Sequence, residues 1–458
     1  MDTPGIARAT CGPLAGGYAR RHLVNRASSR PSTGSRMDGK HQRDHARVAA
    51  RTPLQYQDVI ARPTQAREAS RLTLRVMVLG LRGFPGVQGG IESHAEHLYP
   101  LLQQLGCSVE VVVRPRYLSA AVGDSWRGID YLPVWAPKSR ALEAVVHSLL
   151  GVIVAAWRRP DILHIHAVGP ALVTPLARLL GLRVVVTHHG PDYNRQKWGA
   201  LARWVLHTGE AWGMRFAQGR IAISRTILEH VRREYRIAAD LIPNGVVIPD
   251  IPTTSSALRQ FGLTSRRYVL TVGRLVPEKR HIDLIEAFAR AGLNDWRLVL
   301  VGGADHPDVY SRKVAALVQQ REGVVSTGIM TGLPLRELFA HAGMFVLPSS
   351  HEGLPIALLE ALSYGLPVIA SDIPANREIN LPAHHYFPLG DVAALAATLQ
   401  SFARLDWPAE QMAETRRWVL NRFNWHVVAA QSRNIYARVL RWRTSSSVRH
   451  LMPGLLPT

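Results

Sequence analysis

The chemistry of this chain concentrates between Pro348 and Asp372, PSSHEGLPIALLEALSYGLPVIASD, where Glu352 and Glu360 stand with seven residues between them. Pro355 suits the first position of a helix, where its missing N–H leaves no bond unmade. Gly365 and Pro367 stop that helix, and the run from Pro367 to Ala370 reads as a buried strand. Glu352 is therefore expected in the loop before the helix and Glu360 in its second turn. The free N–H groups around Gly353, Leu354 and Ile356 lie under the positive end of the helix dipole, an arrangement that attracts anions. One carboxylate beside an anion site, with another a turn deeper, suits a ligand carrying both phosphate and hydroxyl groups.

Other residues with chemical potential also follow short apolar runs. Gly273-Arg274-Leu-Val-Pro-Glu-Lys279 comes after Tyr268–Val272. Its two cations suit a departing diphosphate, Arg274 by a bidentate grip and Lys279 as a mobile point charge. On its own, a solvated turn explains the pair as well. After Arg75–Gly80 comes a segment rich in glycine, Leu81 to His94, where backbone can approach a ligand closely. It is not a dinucleotide G-x-G-x-x-G. His188, His189, Gly190 and Asp192 follow the run Val184–Thr187, and a histidine at a strand end is as often structural as functional.

The elements that must hold these residues alternate. Strands are expected at Arg75–Gly80, Val109–Arg114, Ile162–His166, Arg183–His188 and Gly219–Ile223, with a helix at about Glu92–Leu105 and helical stretches between the others. The pattern restarts with strands at Tyr268–Val272, Trp296–Val301, Phe345–Leu347 and Val368–Ala370. This is the texture of doubly wound parallel sheets, whose ligands bind beyond the carboxyl ends of the strands. The expected organisation is a basic, disordered tail over 1–72, an α/β domain over 73–250 and a second over 251–425. A link rich in Pro, Ser and Thr over about 249–266 joins them. A final helix over 426–443 and a loose tail over 444–458 complete the chain.

With 458 residues, 47% of them hydrophobic, the chain is too long for one core. Its two cysteines, Cys11 and Cys107, cannot make a disulfide framework, which points to a reducing compartment. The net charge of +21 suggests acidic partners: nucleotide sugars, anionic lipid headgroups or nucleic acid. Up to Arg36 the first segment holds one acid, Asp2, and six arginines, a pattern that mimics a transit peptide but also fits a disordered tail or a later start at Met37. Ala141–Trp157 is the most membrane-like stretch, yet it contains Glu143 and His147 and is shorter than the roughly 20 residues a span needs. No zinc finger or RNA-recognition signature accompanies the positive charge.

The Glu352/Glu360 pair with its filler, E-G-L-P, L-L-E-A-L and G-L-P-V-I-A-S-D, resembles the retaining glycosyltransferases of family 4, built on the two-domain GT-B fold. Gly273 to Lys279 is similar to that family's G-R-L-x-x-E-K motif, and the resemblance covers roughly residues 74 to 441. It implies an α/β fold of two facing Rossmann-like domains, the first for the acceptor and the second for a nucleotide-diphosphate sugar. It implies that Glu360 accepts from the ribose hydroxyls and that Glu352, Gly353, Leu354, Pro355 and Ile356 hold the donor sugar and β-phosphate. Gly273 belongs to the same donor site, Arg274 and Lys279 neutralise the leaving diphosphate, and Gly89-Gly90 meets it from the other domain. The turns Val301–Gly303 and Thr327–Met330 cup the base.

His189 matches the family's T-x-H-G histidine beside the transferred sugar, with His188 as the register alternative; Asp192 and Lys197 are candidates for the acceptor side. The sequence lacks the Asp-x-Asp with which GT-A transferases commonly hold a metal. Its absence, with Arg274 and Lys279 available, leads us to expect metal-independent transfer without a cofactor. The acceptor is expected to be a glycan, a lipid-linked or a small molecule, in cell-surface polysaccharide biosynthesis. The location is expected to be cytoplasmic with peripheral contact at an anionic membrane. A nucleotide-sugar epimerase and a basic nucleic-acid-binding protein are the alternatives.

Overall fold

The computed structural model describes residues 73–449 except 119–121, 140–141, 192, 194–198 and 305–306, all within the compact unit Gln55–Thr458. The expected tail over 1–72, with Cys11, lies outside the described residues. Two sheets carry the fold. The first has eight strands: β1 (Leu74–Leu79), β2 (Cys107–Val113), β3 (Ser125–Trp126), β4 (Ile129–Pro133), β5 (Ile162–His166), β6 (Val184–His188), β7 (Gly219–Ala222) and β8 (Asp240–Leu241). Their order is β3-β4-β2-β1-β5-β6-β7-β8, and only β3 runs antiparallel to its neighbour. The second sheet comprises β9 (Tyr268–Val272), β10 (Arg297–Val301), β11 (Val324–Gly328), β12 (Met344–Leu347), β13 (Val368–Ser371) and β14 (Tyr386–Phe387). It is parallel throughout, in the order β11-β10-β9-β12-β13-β14.

Both orders reverse at the first strand of the sheet. β1 lies between β2 and β5, and β9 lies between β10 and β12. At such a reversal the connections leave to opposite faces and open a crevice beyond the carboxyl ends. The segments after β1, β9 and β12 are the ones that carry Gly89-Gly90, Arg274 with Lys279, and Glu352.

Side chains alternate across the strands, so each sheet is buried on two faces. Met77, Leu79, Leu163, Ile165, Val184 and Val186 meet the helices Glu143–Arg158, Thr174–Leu179 and Ala200–Phe216 through Val152, Ala155, Ala177 and Met214. Val76, Val78, Val109, Val111 and Val185 face the other way, toward the helix Gly90–Gln104. On that side they also meet the last helix, Trp425–Arg449, through Trp425, Val428, Ile435, Tyr436 and Val439. The chain thus returns from the second sheet to the first. Its two crossings are adjacent: Val246 bridges Asn424, its N–H donates to the Phe423 carbonyl at 2.8 Å, and Gly245 packs on the Trp425 ring.

Several expectations need correction. The segment expected to be a loose tail from 444 continues the last helix to Arg449, because no glycine or proline interrupts the chain before Pro453. The link over 249–266 contains the helix Ser256–Gln260, where Glu337 accepts from the Ala257 N–H at 2.7 Å and from the Ser256 hydroxyl. The stretch Ala141–Trp157 becomes the helix Glu143–Arg158 against the first sheet. No described helix is long and apolar enough to cross a membrane. Cys107 is a buried free thiol at the start of β2.

Candidate active site

A cleft of about 710 Å³ opens between the carboxyl ends of the two sheets. Gly89, Gly90, His189, Gly273, Arg274, Lys279, Glu352, Gly353, Leu354, Pro355, Ile356 and Glu360 all line it. Residues as far apart in sequence as Gly89 and Glu360 are therefore brought to one space by the strand ends.

On the second-domain side, the helix Ile356–Ser363 starts directly at the cleft, with Pro355 one position before it rather than inside its first turn. The N–H groups at this start face the cleft with no side-chain cap. Lys279 Nζ donates to Glu352 Oε1 at 2.5 Å, so the cation and the loop carboxylate hold each other in place. The loop is tied down by the Ser350 N–H, which donates to the Glu278 carbonyl at 2.8 Å. Glu360 lies deeper, in the second turn. Burial, and then the negative charge of Glu96 across the cleft, push its carboxyl up to about 7.

On the first-domain side, the loop after β1 is organised by Arg82. Its Nε donates to Glu92 Oε1 at 3.0 Å, and a second guanidinium nitrogen donates to the Gln88 carbonyl. Burial alone would raise the Glu92 carboxyl, but Arg82 and, across the cleft, Arg274 outweigh it and hold it below its ordinary value. A Cβ on Gly89, at φ 158°, would lie 2.1 Å from Glu92 Oε2, so the loop needs glycine there. The Gln88 side chain reaches the other domain, accepting from the Gly303 N–H at 3.3 Å.

His189 forms the floor between the domains. Its Nε2 lies 2.8 Å from His166 Nδ1, and His166 in turn meets the Tyr99 hydroxyl. Tyr99 and Tyr436 both bond to His164 Nδ1, while His164 Nε2 lies 2.7 Å from the Thr187 hydroxyl. Burial first, and neighbouring imidazoles second, keep His166 and His189 well below their usual pKa, so both rings are neutral at pH 7. Asn244 joins this network to the loop before the helix Ile356–Ser363. Its Nδ2 donates to the Leu354 carbonyl at 2.9 Å, which turns its Oδ1 toward His94 Nδ1 at 2.8 Å. His94 must then donate from Nδ1 and keep Nε2 unprotonated; burial drives this ring down to about 4.

The loops that carry His189 and Glu352 touch at Gly353. A Cβ there would sit 2.0 Å from the His189 carbonyl oxygen.

His188 does not reach the cleft, which corrects its candidacy for the acceptor side. Alternation along β6 turns it to the opposite side of the strand from His189. It is fully buried, its Nε2 donates to Glu210 Oε1 at 2.5 Å, and its Nδ1 accepts from the Gly190 N–H at 3.0 Å. The remaining bonds to Glu210 come from His230 Nε2 at 3.0 Å and the hydroxyls of Tyr193 and Tyr235 at 3.0 and 2.6 Å. This closed network fixes the start of the loop that carries His189. Asp192 and Lys197 lie outside the described residues. The ring nitrogens of His94, His166 and His189 come within 4.8 Å of one another, as do the ligand atoms of His188, Glu210 and His230. His188 and His230 already bond to Glu210, whereas His94 Nε2 in the first set has no hydrogen-bond partner.

Sequence reasoning did not single out Arg82, His94, Tyr99, His166 or Asn244. The His164-x-His166 spacing at a strand end and the Pro243-Asn244-Gly245 turn were the available signals.

Comparison with known proteins adds an independent line. Residues 88–248 match the family described as Glycosyltransferase Family 4, and residues 257–417 match Glycosyl transferases group 1. The chain is 28% identical over 403 residues to the alpha-maltose-1-phosphate synthase of Mycobacterium tuberculosis, covering 80% of this chain and 100% of that one. It is also 28% identical over 372 residues to the phosphatidyl-myo-inositol mannosyltransferase of Mycobacterium leprae, covering 77% and 94%. Among solved structures, sucrose-phosphate synthase from Thermosynechococcus elongatus superposes with a TM-score of 0.69 at 21% identity, over 80% of this chain and 99% of that one. HepE from Anabaena, in complex with UDP and glucose, gives 0.63 at 16% identity, over 80% and 100%.

Proposed function

Because the chain belongs to the family 4 glycosyltransferases of GT-B fold, we propose that its cleft transfers a sugar from a nucleotide diphosphate with retention of anomeric configuration and without a metal. The observation that carries this reading is the convergence of Arg274, Lys279 and an uncapped helix start around one space, with Glu360 one turn further in. Fixed positive charge is most effective where negative charge develops, which in this reaction is the departing diphosphate. Arg274 and Lys279 supply it, with the N–H groups around Gly353 and Ile356. Glu360 accepts from the ribose hydroxyls, and Glu352, held by Lys279, contacts the donor sugar.

In this mechanism the acceptor hydroxyl approaches from the side on which the phosphate leaves. The bond from the acceptor oxygen to the anomeric carbon forms as the bond to the β-phosphate oxygen breaks. The phosphate takes the acceptor's proton. Neutral His189 lines the reacting face as a hydrogen-bonding wall, oriented by His166, and no side chain is assigned as a nucleophile. The acceptor is a glycan, a lipid-linked or a small-molecule alcohol in cell-surface polysaccharide synthesis. The arginine excess suits a cytoplasmic enzyme in peripheral contact with an anionic membrane.

A hydrolysis screen over purified nucleotide sugars, followed by NMR of the product anomer, tests the reading. Release of the sugar from one donor with its configuration kept is expected. Inverted product, or no turnover of any nucleotide sugar, would overturn it.

A further inference from the structure

The helices Glu143–Arg158, Thr174–Leu179 and Ala200–Phe216 lie side by side over one face of the first sheet. Their inner sides are buried, but their outer sides are not polar. Leu142, Leu149, Ile153 and Trp157 fall within an arc of about 80° on the first helix at 100° per residue, and all four are exposed, Trp157 at 80%. On the third helix Leu201, Trp204, Trp212 and Phe216 share a face, Trp204 at 65%. Leu179, on the short helix between them, is 84% exposed. Water-soluble surfaces scatter large apolar side chains singly; a contiguous set across three helices marks a contact.

The exposed charge on these three helices and their flanks is positive, although Arg158 at the edge pairs with Glu110 of β2 at 3.7 Å. Exposed Lys138, Arg158, Arg159, Arg203 and Arg215 surround the apolar side chains. The acids of the same helices, Glu143 and Glu210, are both buried, one bonded to Arg114 and the other to His188. Two copies of the chain meeting through this face would bring arginine against arginine. A lipid leaflet with anionic headgroups instead offers negative charge at the rim and hydrocarbon beneath. Tryptophan and arginine are suited to that boundary, the ring at headgroup depth and the guanidinium above it.

We propose that this three-helix face docks on an anionic bilayer, inserting Ile153, Trp157, Leu179 and Trp204 to headgroup depth while the arginines engage the lipid phosphates. The proposal rests on the peripheral-contact reading above and gives it a location and an apolar component. The docked face leads to the cleft: Glu143, Ala144 and Pro170, from the same layer, line it. An acceptor anchored in the leaflet would therefore present its head to the site without leaving the membrane.

The test uses the full chain and vesicles of phosphatidylcholine, with and without phosphatidylglycerol, in flotation assays. The variants are a triple Ile153→Ser/Trp157→Ser/Trp204→Ser and a double Lys138→Gln/Arg203→Gln, with donor hydrolysis in solution as the folding control. The triple variant should lose at least about tenfold in partitioning to anionic vesicles, which requires only about 1.4 kcal/mol. It should hydrolyse the donor as the parent does. The double variant should weaken binding at low salt and narrow the difference between the two vesicle types. Undiminished flotation of the triple variant would overturn the apolar insertion while leaving charge-driven contact standing. Failure of the parent to float with any vesicle would overturn both. A concentration-dependent dimer that the triple variant abolishes, without vesicle binding, would assign the face to a second copy and overturn the proposal.

Discussion

Glu360→Gln separates the cost of this carboxylate to the fold from its use in the site. A carboxyl that titrates at about 7 in the fold, against an ordinary 4.5, resists ionisation there. Its contribution to stability is neutral below pH 4.5 and becomes unfavourable as the pH rises toward and past 7. The gap sets a ceiling of about 3 kcal/mol, which water in the open cleft reduces to about 1–2 kcal/mol. Glutamine removes that cost. The variant should melt with the parent at pH 4.5 and above it at pH 8, by roughly 2–4 °C per kcal/mol for a domain of this size.

Donor binding should move the other way. Losing a charged hydrogen bond to the ribose costs about 1.5–3 kcal/mol, or roughly ten- to a hundredfold at pH 8. The parent's affinity should also weaken below pH 7, approaching tenfold per pH unit, while the variant's stays flat. Differential scanning fluorimetry and titration calorimetry at both pH values give the two readouts. Equal donor affinity, or a variant that melts below the parent at pH 8, would refute the assignment.

Arg274→Ala and Lys279→Ala should each lower turnover by at least about a hundredfold, since each removes fixed charge from the leaving group. The Lys279 change also leaves Glu352 unpaired and facing the diphosphate. Transfer should survive EDTA, and loss of activity restored by Mn²⁺ would remove the metal-free mechanism. Gly353→Ala puts a Cβ 2.0 Å from the His189 carbonyl and must push the loops apart; a displacement near 1 Å costs up to about a hundredfold. The expected result is a fall in kcat of at least about tenfold with donor affinity kept within a few-fold. An unchanged kcat would show that this contact does not position the reacting groups.

The strands that sequence located most closely are those buried on both faces. Ile162–His166 and Tyr268–Val272 have the observed limits, because an uninterrupted apolar run between turn residues admits few other structures. The elements it overlooked have little apolar signal. β3 and β8 are two residues long, and β11 is an edge strand with no fully buried residue. That the loops with Arg274, Lys279 and Glu352 line one cleft was legible because each lies within a few consecutive residues after a strand. His94, His166 and Asn244 were not, since their meaning comes from a meeting of three segments 72 and 78 residues apart in sequence. Local spacing also left His188 and His189 equivalent, and only the direction of alternation along β6 separates them.

The two crossings between the domains are paired side by side at Val246 and Asn424. A ribbon of two tied strands bends easily across its width but resists shear and twist. A change in the width of the cleft is expected to turn about this pair of crossings, which would keep Arg274 and the Gly89 loop in one registration. The last helix acts as the second leaf of a door hinge, so its seat of Trp425, Val428 and Tyr436 on the first sheet governs the path of motion at a site far from the sugar.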